Sequence, residues 1–142
     1  MRPRGRDQRG SATLELVIVI PATLLILSAI IMAGRLALAH QAIQAVAYDA
    51  ARAASVARDR GTASSDAARV AGFSLASNGL SCTHTNTNVD TSGFTAAVGQ
   101  AAAVSVAVTC VVGLGDLSLP GIPGTVTLEA DAISPIDTYR ER

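Results

Sequence analysis

The sequence predicts an α+β chain in which one long N-terminal helix continues into a small antiparallel β-sheet domain. An uncharged apolar run covers residues 16–34, and an alanine-rich stretch without glycine or proline extends the helical pattern from residue 36 to about residue 60. Three candidate strands, separated by turn residues, follow between residues 81 and 133: residues 104–112 alternate as in a half-buried strand, and residues 81–89 are rich in Thr and Asn. A helix followed by consecutive strands is the order expected of a helix that packs on an antiparallel meander sheet.

Composition limits the core and the classes of partner. The chain has 142 residues, no Trp, two Phe and two Tyr, so one domain with a thin core of small aliphatic side chains is expected. Formal net charge is zero and all eleven basic residues are Arg. The arginines after the apolar run are spread among acids, so a nucleic-acid-binding stripe is not expected.

The apolar run is long enough to cross a membrane. Leu16 to Gly34 is a run of 19 residues without a charge, which spans roughly 28 Å as a helix. Buried core helices carry shorter apolar runs, and Pro21 is tolerated in a membrane helix. Because Arg residues precede the run, residues 1–10 are predicted as a cytoplasmic leader, 11–35 as the transmembrane helix, and the remainder as extracytoplasmic.

Two processing sites compete around this helix. Ala37-Leu38-Ala39 has the small residues of a signal-peptidase site, although the apolar run is long for a signal peptide and Arg35 intervenes. The other site is Gly10-Ser11, where cleavage would keep the helix in the product.

Glu15 is a carboxylate at the cytoplasmic edge of the apolar run. One interpretation is local, since an acid in the first turn suits the positive end of the helix dipole. The other supposes cleavage after Gly10, so that Glu15 of one chain pairs with the Ser11 α-amine of a neighbouring helix in a low-dielectric setting.

Residues 9–16, Arg-Gly-Ser-Ala-Thr-Leu-Glu-Leu, followed by an apolar run containing Pro21, resemble the N-terminus of the TadE-like proteins of tight-adherence (Flp-type) pilus systems. Gly34-Arg35 and the Ala-rich residues 50–54 extend the resemblance, and residues 119–124 and 134–142 resemble actinobacterial members. The resemblance implies a pilin-like fold, cleavage by a prepilin peptidase after Gly10, and a role of Glu15 in processing or helix assembly. Leu16 departs from the aromatic residue usual in pilin-like members.

The helix extension over residues 36–60 carries one apolar stripe, and Gly61 is predicted to end it. The sequence does not decide whether this stripe packs on the chain's own sheet or on a partner. Ser64 or Ser65 is expected to cap a second helix that ends at Asn78-Gly79. The predicted stripe consists of Leu36, Ile43, Val46, Ala50, Ala54 and Ala57.

Three strands are predicted over residues 81–89, 104–112 and 125–133, with Glu129 and Asp131 on the wet face of the third. Residues 113–124 hold two prolines and four glycines and are predicted as a loop.

Cys82 and Cys110 are the only cysteines, and outside the cytoplasm an even pair predicts a disulfide. Two unpaired buried thiols are the alternative. The cysteines and His84 lack the paired spacing of a metal site, and His40 is interpreted as an interfacial polar residue.

No phosphate-binding loop, nucleophile elbow or metalloprotease motif is present, so no enzymatic activity, cofactor or small-molecule substrate is expected. The predicted function is a minor pilin-like subunit or assembly factor whose partners are the membrane, other pilin or pseudopilin subunits, the pilus machinery and a prepilin peptidase. The alternative is an exported envelope or binding protein with an ordinary membrane anchor or signal peptide.

Overall fold

The computed structural model describes residues 9–117 and 123–139, with the backbone alone for 9–14, 116 and 117. Most of the predicted leader, residues 1–8, lies outside the described residues, as do 118–122 of the predicted loop and 140–142 at the C-terminus. The α+β class is confirmed: a long helix and a shorter helix precede a three-stranded antiparallel sheet.

Helix α1 spans Arg9–Val56 and contains Pro21. Contacts divide the chain into two units, Met1–Gly34 and Arg35–Arg142. In the first unit the hydroxyls of Thr23 and Ser28 donate to main-chain carbonyls three or four residues earlier in the helix, at 2.8–3.0 Å. These polar groups are therefore satisfied within the helix itself, as an apolar environment requires.

In the second unit the predicted stripe of α1 packs into the core. All of its members are buried except Leu36, which is partly buried, and Ala57 lies one residue beyond the end of α1. Asp49 and Arg52, which lie off the stripe, are exposed. Ala47 and Ala51 are also buried, so the buried face is wider than the stripe alone. Small side chains at four-residue spacing allow close approach to the neighbouring helix, whose buried face is also built mainly of alanine.

Helix α2 spans Arg60–Ser77. The prediction that Gly61 ends the first helix was wrong, because α1 stops at Val56 and Gly61 lies in the first turn of α2. The extended Asp59 (φ −143°, ψ 166°) breaks the helix, and its carboxylate accepts a 2.8 Å hydrogen bond from the Thr62 N–H. An N-cap of this kind satisfies a donor at the start of α2, and this outweighs the helical propensity of the surrounding alanines.

The predicted N-cap of α2 at Ser64 or Ser65 was also wrong, because the N-cap is Asp59. Ser64 and Ser65 lie inside the helix, and their hydroxyls donate to the carbonyls of Arg60 and Thr62. The predicted stop at Asn78-Gly79 is confirmed: Asn78 is the C-cap and Gly79 has φ +71°, a conformation that glycine adopts without steric cost.

The three predicted strands are confirmed. Strands β1 (Cys82–Asp90), β2 (Ala102–Gly113) and β3 (Thr125–Ile136) pair antiparallel in the order β1-β2-β3. Strand β1 has the predicted length but is shifted by one residue, and β2 and β3 are each three residues longer than expected. The predicted loop contains a short helix, α3, over Leu114–Leu117.

The helices cover one face of the sheet. That face carries alternate buried residues of β2 and β3, including Val106, Val108 and Leu128. Gln44 and Ser55 of α1 bond to β3: the Gln44 amide donates to the Asp131 carbonyl, and the Ser134 hydroxyl donates to the Ser55 hydroxyl, both at 3.0 Å. The second half of α1 therefore packs on the chain's own sheet.

The predicted disulfide joins Cys82 to Cys110, with a Cα–Cα distance of 5.4 Å. Cys110 is fully buried on the helix-covered face of β2, and Cys82 begins the edge strand β1 next to an irregularity in its pairing. The bond therefore holds the start of an edge strand to the centre of the sheet.

Candidate membrane anchor and assembly helix

The first part of α1 presents apolar side chains around its whole circumference. Within Glu15–Val56 the helix is long and apolar enough to cross a membrane, and none of its most apolar window is buried. Large aliphatic side chains there are 44–71% exposed within the chain. Leaving such a side chain in water forfeits about 1.5–3 kcal/mol of burial energy. The exposed set is Leu16, Val17, Ile18, Val19, Ile20, Leu24, Leu25, Ile26, Leu27, Ile30, Ile31 and Met32.

Glu15 is an exposed residue of α1, immediately before the first aliphatic residue of this segment. Aliphatic side chains at positions 16–20 follow it without interruption. A carboxylate in this place lies at the boundary of the apolar segment, where its desolvation costs much less than at a bilayer centre.

Gly10 and Ser11 lie in the first turn of α1, which begins at Arg9. Their side chains and the preceding residues 1–8 are outside the described part of the chain. Cleavage between them therefore stays a prediction, as does pairing of Glu15 with a Ser11 amine.

The competing signal-peptidase site is helical. Ala37-Leu38-Ala39 lies within α1, and Ala39 is 5% exposed in the core of the second unit. Cleavage after Ala39 would separate that residue from Ile43, which belongs to the same core.

The two histidines lie at exposed positions. His40 bonds through Nδ1 to the Leu36 carbonyl at 2.9 Å, and His84 is on β1. Among residues 9–117 and 123–139, no group of three or more His, Cys, Asp or Glu side chains is placed to hold a metal ion.

Sequence reasoning missed the polar contacts that join the elements of the second unit. Besides Gln44 and Ser55, Asp49 accepts a 2.7 Å hydrogen bond from the Ser74 hydroxyl and so ties α1 to α2. The N-cap at Asp59 could have been predicted from the sequence, because an Asp precedes the helix and Thr62 follows it three residues later. The other pairs join residues 25–87 positions apart, and no local pattern marks such distant partners.

The comparisons with known proteins concern this helix. The model of the family described as TadE-like protein matches residues 10–52. No curated protein and no solved structure matched the sequence. The matched segment contains Glu15, the whole apolar run and most of the buried part of α1. Over residues 10–52, the segment that forms most of its long N-terminal helix, the chain is similar to the TadE-like family.

Proposed function

We propose that this protein is a single-pass, membrane-anchored minor pilin-like subunit or assembly factor of a tight-adherence pilus, with no enzymatic activity. The observation that carries the proposal is the coincidence of the TadE-like match with a helix in which the Glu15 carboxylate immediately precedes an exposed apolar segment. The family supports a pilus association in general, and the apolar segment supports anchoring in a membrane.

The proposed orientation places residues 1–10 in the cytoplasm and the second unit outside. The basic residues that precede the apolar run support it through the positive-inside rule. The Cys82–Cys110 disulfide supports it independently, because disulfides persist in oxidising compartments.

The proposed mechanism is lateral packing of the apolar helices of neighbouring subunits. Cleavage after Gly10 by a prepilin peptidase would free the Ser11 amine, and Glu15 of an adjacent subunit would pair with it. Within a low-dielectric bundle this pair would set the axial register of neighbouring helices, since an unpaired charge there is costly. Other pilin or pseudopilin subunits and the assembly machinery are the proposed partners.

N-terminal sequencing of the membrane-extracted protein tests the cleavage step. A mature terminus at Ser11 is expected. A terminus at Met1 would leave an uncleaved anchor, and one at His40 would show signal-peptidase processing; either result contradicts the proposed cleavage.

Glu15→Gln in the native host tests the assembly role. The substitution removes the charge but keeps the shape, so surface fibres counted by electron microscopy should fall sharply while the amount of membrane-inserted protein stays unchanged. Glu15→Asp is the matched control, because it keeps the carboxylate and should retain more fibres than Glu15→Gln. Normal fibres with Glu15→Gln would contradict the assembly role and would mean that the carboxylate only interacts with the helix dipole. That result would favour an ordinary anchored envelope protein.

A further inference from the structure

The second unit has two unlike lateral edges. Helix α1 bonds to β3 through the Gln44–Asp131 and Ser134–Ser55 contacts, and α2 packs against β1. Because the sheet order is β1-β2-β3, α1 and β3 form one edge of the unit and α2 and β1 form the opposite edge. These surfaces are called the α1–β3 edge and the α2–β1 edge.

The α1–β3 edge carries an exposed cation among apolar side chains. Tyr48 and Arg52 line one open depression with Ile133 and Pro135. Tyr48 and Ile133 are 65% and 64% exposed. Within the described residues, the Arg52 guanidinium forms no hydrogen bond or ion pair. Because Tyr and Arg are enriched at the centres of protein interfaces, this edge has the composition of a docking surface.

The depression reaches round the edge of the sheet. Ile133 and Pro135 point to the uncovered face of β3 and Ser134 points to the helix-covered face, since successive residues of a strand alternate. All three line the depression together with Arg52. The Arg52 side chain is therefore accessible to a molecule beside the sheet. Pro135 offers no N–H to an added strand, which favours contact through side chains.

The α2–β1 edge carries an exposed carboxylate. Asp90 is the last residue of β1, and its Oδ1 accepts a 2.9 Å hydrogen bond from the Ser92 N–H. The Ser92 N–H, followed by the Ser92 side chain, holds the pKa of Asp90 below its ordinary value of 3.8, so the carboxylate is charged at neutral pH. Within the described residues Asp90 forms no ion pair. No Lys or Arg occurs between residues 70 and 139, so no cation of the sheet competes for it.

Asp90 and Arg52 lie at the same level along the strands. The pairing register places Asp90 opposite Ser105 of β2, and Ser105 opposite Ile133 of β3. Ile133 lines the depression that holds Arg52. One row across the sheet therefore has a carboxylate at one edge and a guanidinium at the other.

The two helices match at a second level. The Asp49–Ser74 hydrogen bond joins α1 and α2 one residue after Tyr48 and one residue after Phe73. Phe73 is 77% exposed, on the side of α2 away from its buried alanines. Each edge therefore also carries a large exposed aromatic side chain, and the two aromatic side chains lie at one level.

We propose that the α1–β3 edge of one copy of this chain docks against the α2–β1 edge of a second copy, with Arg52 paired to Asp90. The proposal rests on the proposed membrane anchoring, because copies anchored in one membrane cannot be inverted relative to one another. Under that restriction, contact between two like edges would set Arg52 against Arg52, or Asp90 against Asp90. Unlike edges bring opposite charges together. Each docked copy still has one free edge, so the contact continues as a row or closes as a ring.

Disulfide cross-linking of the full-length protein in detergent tests the pairing of unlike edges. Asn88→Cys and Ile133→Cys in one chain should give a ladder of dimers, trimers and larger species under mild oxidation, because the native cysteines are already paired. The two positions cannot bond within one chain, since β1 and β3 are about 10 Å apart and a disulfide does not span that distance. Each single substitution should give little dimer. Efficient dimers from Ile133→Cys alone would show like edges in contact and would overturn the proposal.

Thr127→Cys with Ile133→Cys is the matched control. Both residues are exposed on β3, so this pair offers two cysteines on one edge only. The yield of species larger than a dimer should be roughly tenfold higher for the Asn88 and Ile133 pair, since docked edges have a high effective concentration. Equal ladders would refute the interface, including the case of copies held together only by the apolar helices.

Charge exchange tests the Arg52–Asp90 pair, with the cysteine ladder as the measurement. Arg52→Asp and Asp90→Arg should each reduce the ladder several-fold, because each sets like charges opposite one another, and the two together should restore it. Asp90→Asn should also reduce the ladder, although it keeps an acceptor for the turn that follows β1. Glu129→Gln is the control, since it removes a carboxylate from the uncovered face of β3 and should leave the ladder unchanged. An unaltered ladder with Asp90→Asn, or an equal reduction with Glu129→Gln, would contradict the pair.

This interface and the proposed function can fail separately. If the ladder is absent while surface fibres still depend on Glu15, the interface is wrong and the assembly role stands. If the ladder forms while Glu15→Gln leaves the fibres normal, the interface stands and the assembly role of the carboxylate is wrong.

Discussion

Asp59 shows how a single residue redirects the chain. Its carboxylate accepts from the Thr62 N–H and from the Thr62 hydroxyl, at 2.8 and 2.7 Å. The Thr62 hydroxyl, followed by the Thr62 N–H, holds the pKa of Asp59 below its ordinary value of 3.8. By forming this cap, Asp59 ends α1 and starts α2, which brings the two alanine faces together.

Substitution of Asp59 should lower stability in a pH-dependent way. Asp59→Ala removes the cap and should lower the melting temperature of the detergent-solubilised protein at pH 7, measured by circular dichroism. Asp59→Asn keeps an acceptor and should remain closer to wild type. Because the folded pKa is lowered, the contribution of the charge is present above the unfolded pKa and is lost as pH falls through the folded pKa.

The difference in melting temperature between wild type and Asp59→Ala should therefore narrow in acid, below about pH 3.8, where the unfolded carboxyl is protonated. Asp59→Asn, which has no titrating group there, provides the comparison at each pH. A difference in melting temperature that stays constant from neutral to acid pH would mean that the Asp59 charge contributes nothing to stability.

At the scale of elements, a close approach of two backbones packs the 3₁₀ turn of the second unit against β2. The 3₁₀ turn Ser92–Thr95 lies against β2, and a Cβ on Gly93 would come far inside van der Waals distance of the Ala103 carbonyl oxygen. This contact brings Phe94, which is 8% exposed, into the core. Glycine is required at position 93 by the approach of two backbones and not by a positive φ.

Gly93→Ala should destabilise the protein by about 1–3 kcal/mol, the usual cost of forcing extra volume into a packed site. Gly72→Ala is the matched control, because Gly72 is exposed in α2 with nothing within 4 Å of an added Cβ. That substitution should be neutral or stabilise by up to about 1 kcal/mol, since alanine has the higher helix propensity. Urea unfolding followed by circular dichroism measures both, and equal effects would contradict the proposed close contact.

At the scale of the whole molecule, a thin core is supplemented by one covalent link. The buried core consists largely of Ala and Val side chains, with Phe94 as its one buried aromatic residue among those described. Cores of this size and composition leave little margin of stability. The Cys82–Cys110 bond closes a loop with a sequence separation of 28.

Replacing both cysteines by serine should lower the free energy of unfolding by about 3–4 kcal/mol, from the chain entropy of a loop of this length. The double substitution avoids a single reactive thiol. Denaturant unfolding of the purified protein measures the loss, and treatment of the wild type with a reductant should reproduce it. A loss below about 1 kcal/mol would show that native contacts alone hold β1 in place.

Composition supports the proposed membrane anchoring at this same scale. Nineteen consecutive uncharged residues from Leu16 to Gly34 need an apolar environment in any tertiary arrangement. None of the most apolar window of the helix is buried within the chain.

Features that depend on periodicity or composition could be predicted from the sequence alone. Local patterns predicted the apolar segment, the buried stripe of α1 and the strands, and a simple count of cysteines predicted the disulfide. The same patterns predicted which side chains of these elements are buried. The TadE-like resemblance of residues 10–52 also lies within one continuous segment. These features hold whatever the neighbouring elements do, because hydrophobic periodicity acts over a few turns or a few strand residues.

Only the tertiary structure decided where α1 ends and what its second half packs against. Alanine propensity favoured a helix to about residue 60, but an extended Asp59 allowed α2 to fold back and bury the alanines of both helices. The same packing placed Tyr48 and Arg52 of α1 and Ile133 of β3 around one depression at the edge of the sheet. Such contacts join residues dozens of positions apart, and their free energy depends on the assembled surfaces, which no local pattern encodes.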